Sequence, residues 1–214
     1  EPTSVMQIMN CNILTNFKIF ALNSTNTPVS FVNKVFNTTN CWAGIGVYLS
    51  SLHVSNCSFY RCSLNGYGSS VNFYNSTISE SPVGGILLYN SHLSVSGNVS
   101  FIRNSFVGNG AAISLYYTDV IIEAPVNISF INNTSAFNGE AIYIDFITSY
   151  YAKCWFSYND PNGTLDNPGV HFYFEGNYAN LSGNMLYGGD IDQCRFSCSY
   201  PNCFTISTFL NATT

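Results

Sequence analysis

The residues whose types and spacing could carry chemistry are asparagines, cysteines and a few acids. Asn-x-Ser/Thr acceptor sites begin at Asn23, Asn37, Asn56, Asn75, Asn98, Asn127, Asn132, Asn133, Asn162, Asn180 and Asn211. With 28 Asn and 42 Ser plus Thr among 214 residues, chance predicts about five or six such sites. The excess is the signature of N-glycosylation in a secretory compartment. Eight cysteines (Cys11, Cys41, Cys57, Cys62, Cys154, Cys194, Cys198 and Cys203) form an even set, as a disulfide framework requires. Cys57 and Cys62 are close enough in sequence to bridge one corner. Cys11 and Cys41 stand 30 residues apart, and the last four are expected to pair among themselves; spacing leaves the connectivity open. A zinc site from Cys194, Cys198 and Cys203 lacks paired C-x-x-C spacing.

Hydrolysis of a polysaccharide would need two carboxylates at a defined separation, and elimination would need a base with calcium ligands. Asp190 and Asp192 alternate along one prospective strand, Asp145 faces outward, and Glu140 lies one corner earlier. With eleven acids in all, and none in a cluster of three, these read as solvated turn residues. His53, His92 and His171 have no carboxylate partner evident in the sequence. The loop Asp160–Asp166 lacks the closing Glu of a calcium site and reads as a turn. No catalytic group, metal site or cofactor is expected.

These side chains must be positioned by a repeat. Asn98-Val-Ser-Phe-Ile-Arg-Asn104 with Gly110-Ala-Ala-Ile-Ser-Leu-Tyr116 aligns without gaps on Asn127-Ile-Ser-Phe-Ile-Asn-Asn133 with Gly139-Glu-Ala-Ile-Tyr-Ile-Asp145, at an offset of 29. Gly84–Tyr89, Asn56–Cys62, a weaker copy at Ser30–Asn33, and Phe174–Asn177 extend the series. Within each repeat apolar residues alternate, as at Ile86/Leu88, Ile113/Leu115 and Ile142/Ile144, which is the period of a strand with one buried face. Three short strands per repeat at a near-constant offset make the rungs of a parallel β-helix. About six coils fit, stacked at about 4.8 Å into a rod about 30 Å long. The expected fold class is therefore all-β, a solenoid of about six coils with one side loop. Coils span 1–146, a loop with two Pro-Asn/Asn-Pro turn clusters spans 147–170, a final coil spans 171–194, and a Cys-containing cap or tail spans 195–214. Asn133 is expected inside, in an asparagine ladder with Asn104, which leaves Asn132 as the glycan acceptor of the overlapping pair. Tyr89, Tyr116 and Tyr143 are candidates for an outward sugar-stacking platform or a subunit interface.

Phe101-x-x-Asn104 with Gly110-Ala-Ala-Ile113, and Phe130-x-x-Asn133 with Gly139-Glu-Ala-Ile142, resemble the paired FxxN and GGA[ILV] repeats of the chlamydial polymorphic membrane protein family and related surface proteins of simple eukaryotes. The likeness covers about Ser30–Cys194 and is best over Gly84–Phe146. Only Gly84-Gly85 and Gly188-Gly189 keep the double glycine, and Phe31–Lys34 lacks the asparagine. The resemblance implies a right-handed parallel β-helix and an adhesin-like or structural surface protein.

Composition narrows the rest. Only 8% of residues are charged against 46% hydrophobic, the net charge is −5, and 15 Tyr and 17 Phe support a packed core. Scattered basic residues offer no phosphate-binding patch, which excludes nucleic-acid binding. No apolar run approaches the ~20 residues of a membrane span. The opening Glu1-Pro2-Thr3 lacks a basic and apolar leader, so the chain reads as a mature product or an excised segment. The expected function is that of a non-catalytic, extracellular or cell-surface structural or adhesin-like glycoprotein module. It would associate end to end into a filament, or with neighbouring modules, and carry covalent N-glycans. The alternative is a polysaccharide-binding or polysaccharide-cleaving β-helix protein.

Overall fold

A computed structural model describes residues 6–9, 12–14, 29–32, 35–37, 45–145, 170–181 and 186–188. The described chain is all-β, and every strand pairing in it is parallel. One sheet has six short strands in sequence order: Ile45–Tyr48, Leu64–Tyr67, Ile86–Tyr89, Ile113–Tyr116, Ile142–Asp145 and Leu186–Gly188. A second, 11-stranded sheet begins as two separate rows of strands. The rows merge where the long strand His92–Ile102 pairs with Asp119–Ile131. A third sheet holds Ser105–Phe106, Thr134–Ser135 and Tyr178–Ala179. In all three, each strand pairs with its counterpart in the next segment of the sequence.

The reason is the alternation of small apolar and polar residues. Ile45, Val47, Leu64, Ile86, Leu88, Ile113, Leu115 and Ile142 are each at most 3% exposed. On the second sheet Phe59, Ile78, Phe101, Phe130 and Phe174 occupy one register column. Their rings pack along it, Phe101 on Phe130 at 5.4 Å and Phe130 on Phe174 at 4.9 Å, nearly parallel. Phe73 bridges to this column at 6.3 Å from Phe59 and 6.1 Å from Phe101.

The offset of 29 holds where it was read, with Phe101 beside Phe130 and Ile113 beside Ile142. Elsewhere it varies. It is 23 between Phe31 and Val54, 19 between Leu52 and Val71, 22 between Val71 and Leu93, and 44 between Phe130 and Phe174. Two expectations are thereby corrected. Phe31 is no counterpart of Phe59, whose neighbour is Phe36. A whole segment, Thr77–Ser79, lies between Phe59 and Phe101. It escaped notice because Ile78 replaces the phenylalanine and Ser81 the asparagine, so nothing remains of Phe-x-x-Asn. Pairing also slips between Ser96 and Gly97, where the partner strand runs from Glu123 to Val126. Two extra residues bulge out there without breaking the parallel pairing.

Gly110 and Gly139 show what their repeat position demands. Both have left-handed φ, 71° and 65°, which a side chain disfavours. A Cβ on Gly110 would lie 2.5 Å from the Ile113 carbonyl oxygen and 2.7 Å from Tyr143 Cβ. Gly110→Ala is therefore expected to cost at least about 2 kcal/mol in a denaturant titration. Gly46→Ala, with nothing within 4 Å, should lie within about 0.5 kcal/mol of the parent.

Candidate functional site

Polar side chains are placed at the corners, and each corner stacks one residue type on its equivalent. The corner after Phe101 and Phe130 carries Asn104, Asn133 and Asn177. Asn104 and Asn133 are 0% exposed. Asn133 Nδ2 donates to the Phe101 carbonyl at 3.0 Å and to Asn177 Oδ1 at 2.9 Å. Its Oδ1 accepts from the Asn104 backbone N–H at 3.1 Å and from Asn104 Nδ2 at 3.0 Å. Asn104 repeats the pattern one segment earlier, taking the Ser81 N–H and donating to the Ile78 carbonyl. This buried amide stack satisfies backbone groups that the turn would otherwise orphan. Asn133 is thus fully engaged inside, and its neighbour Asn132 is exposed with φ 53°.

A second corner follows the six-stranded sheet. Ser69, Ser91 and Thr118 are buried. Ser91 Oγ accepts the Ser69 N–H at 3.0 Å, and Thr118 Oγ1 accepts the Ser91 N–H at 3.3 Å. Two residues earlier stand Tyr48, Tyr67, Tyr89 and Tyr116, all in one register column on the outer face. Asp145 follows Tyr116 in that column. Tyr143, the third tyrosine of the candidate platform, stands in the neighbouring column with Ser114 and Leu87. Tyr48 and Tyr67 went unrecognised, although Tyr48-Leu-Ser50, Tyr67-Gly-Ser69, Tyr89-Asn-Ser91 and Tyr116-Tyr-Thr118 share a Tyr-x-Ser/Thr signature. The rings pair face to face, Tyr48 on Tyr67 at 5.3 Å and 11°, Tyr89 on Tyr116 at 4.5 Å and 10°. Sugar stacking needs open ring faces, and each of these pairings covers one face of each ring.

At the first corner, one residue before the positions of Ser81, Asn104 and Asn133, the left-handed residues Arg61, Glu80, Arg103 and Asn132 follow one another. Glu80 lies 2.8 Å from Arg103 Nη2 and 3.7 Å from Arg61 Nε. Tyr60 Oη donates to Glu80 Oε2 at 2.6 Å. That hydrogen bond, with both guanidinium groups, holds the Glu80 carboxyl below its ordinary value; the same hydrogen bond raises the Tyr60 hydroxyl, against the pull of the two guanidinium groups. Residues that look scattered along the sequence thus form one surface network.

Among the described acceptor asparagines, Asn56, Asn98, Asn127, Asn132 and Asn180 are exposed. Asn98 and Asn127 are register neighbours, and Asn127 Nδ2 donates to Asn98 Oδ1 at 2.8 Å. Asn75 is half-buried, and its Oδ1 accepts the Asn98 N–H at 2.7 Å. The Asn37 backbone lies in the strand Val35–Asn37. Asn23, Asn162 and Asn211 lie outside the described residues, as do Cys11, Cys41, Cys154, Cys194, Cys198, Cys203, Asp190, Asp192 and the loop Asp160–Asp166.

The Cys57–Cys62 bridge is corrected. No disulfide is found among the described residues. Both thiols are 4% exposed; Cys57 Sγ donates to the Ser55 carbonyl and Cys62 Sγ to the Ser63 carbonyl. The strand Ser58–Tyr60 separates them, and three extended steps alone span about 10 Å, beyond the ~7 Å Cα limit of a disulfide. Glu140 is a further correction. Far from solvated, it is 1% exposed, as is the equivalent Ala111 at 0%. His92 lies opposite Asp119 in register, a proximity that an offset of 27 in sequence hides.

Among the described residues no three His, Cys, Asp or Glu side chains converge as a metal site, and no helix is long and apolar enough to cross a membrane. No family model matches this chain, and neither does any curated protein or solved structure.

Proposed function

We propose that the chain winds as a parallel β-helix and serves as a non-catalytic, glycosylated structural or adhesin-like module of an extracellular or cell-surface protein, similar in repeat to the polymorphic membrane protein family. One observation carries the reading: polar side chains at the corners are spent on their own equivalents in the next segment. Asn104 binds Asn133, which binds Asn177; Ser69 binds Ser91, which binds Thr118. Such stacks stiffen a rod and leave few convergent groups for chemistry. The tyrosine column fits the same role, since paired ring faces are poor sugar platforms. Five exposed acceptor asparagines favour a sugar coat over a surface poor in charge. Unless capped, the ends of such a stack favour end-to-end joining.

Intact mass of the secreted protein, before and after enzymatic removal of N-glycans, tests this reading. A loss of several glycan masses, with modification at Asn98 or Asn127 and none at Asn133, is expected. An unmodified protein from its native source contradicts the glycoprotein reading. New reducing ends or unsaturated products on incubation with polysaccharides would replace it with the enzyme. Sedimentation should show concentration-dependent elongated species, and a monodisperse monomer at high concentration refutes end-to-end assembly.

A further inference from the structure

Glu140 stands apart from the other acids. It occupies the place held by Ala111 one segment earlier, since the Ala111 N–H donates to the Glu140 carbonyl at 3.0 Å and each follows a left-handed glycine. Alanine suits that buried site; a carboxyl does not. The side chain is buried, and Oε1 has no hydrogen-bond partner among the described residues. Close by in the chain, Ser135 pairs with Ala179 of the following segment, and the Phe137 carbonyl accepts the Leu181 N–H at 3.0 Å. The acid therefore stands beside the seam between one layer of strands and the next. That seam is also the longest connection in the stack, because 44 residues separate Ile142 from Leu186.

Ionisable groups on the surrounding elements are Tyr116 on the strand beneath, Tyr143 and Asp145 on the strand that follows it, and Glu175 and Tyr178 on the layer above. None of them acts on the Glu140 carboxyl. Burial pushes its pKa up to about 7, opposed only by the Ala179 N–H. A lone buried carboxylate with one donor is a costly species, whereas the neutral acid is not.

We propose that Glu140 is a proton-operated latch on the layer formed by residues 170–181: protonated, it lets that layer stay docked, and ionised, it loosens it. The sign follows from proton binding. Between the ordinary carboxyl value of 4.5 and about 7, the folded state holds a proton that the unfolded chain has lost. Stability from this group is thus fully present below about 4.5, falls as pH rises, and is spent above about 7. The inference is independent of the glycoprotein reading.

Hydrogen exchange of the whole chain at pH 5 and pH 8, corrected for intrinsic exchange rates, tests the latch. Protection of Tyr178–Leu181 should fall at least tenfold at the higher pH in the parent, while Ile86–Leu88 changes far less. In Glu140→Gln the difference should vanish. Glu140→Ala, which restores the residue found at 111, should also be flat and serves if the glutamine variant fails to fold. A parent protein without pH dependence, or variants that keep it, overturns the proposal. So does a Glu140 carboxyl that titrates below pH 5 by NMR.

Discussion

Asn133→Ala is expected to lose on the order of 4 kcal/mol of unfolding free energy in a urea titration. The substitution removes an amide that serves two layers at once. The Asn104 backbone N–H loses its acceptor, and the Phe101 carbonyl loses a donor. Both sit where water does not reach, and an orphaned buried polar group costs about 1–3 kcal/mol. Asn133→Asp should be comparably harmful near neutral pH, because a carboxylate cannot donate to Phe101 or Asn177. Asn132→Ala is the control. That side chain is exposed, so only its left-handed φ is at stake, worth about 1 kcal/mol. Equal losses at the two positions would contradict the buried amide stack.

Phe101→Ala should cost about 3–5 kcal/mol, the range of buried aromatic truncations. The ring is 0% exposed and lies between Phe73 and Phe130, so neither flank can collapse into the void without shifting a layer. Phe101→Ile should be milder, about 1–2 kcal/mol, since Ile78 already fills the same column. A thermal melt followed by near-UV circular dichroism reads both variants. Retention of parental stability in Phe101→Ala would mean that the ring does not belong to a continuous core.

Sequence revealed most where the repeat was least disturbed. Phe101/Phe130 and Ile113/Ile142 align without gaps, so their pairing could be read by counting. Asn133 could be placed inside because its repeat position, not its sequon, decided its environment. The failures have physical causes. Spacing in sequence is a poor guide across an extended strand, which is why Cys57 and Cys62 seemed near. Turn lengths are free to change while strand positions are not, so offsets of 19 to 44 hid Thr77–Ser79 and the first two tyrosines of the outer column. Glu140 departs from the rule that acids are solvated because its repeat position is the one that buries Ala111. Register alone brings Arg61, Glu80 and Arg103 together.

The central claim is that residues 29 apart are lateral neighbours in a parallel stack. Ser100 and Ser129 report on it directly, since their backbones are in register and their hydroxyls lie 2.8 Å apart. In the double variant Ser100→Cys/Ser129→Cys, mild oxidation followed by peptide mass mapping should recover a 100–129 cross-link as the dominant new species. Failure to form it, or preferential cross-linking of either new cysteine to one elsewhere in the chain, would contradict the stacked register.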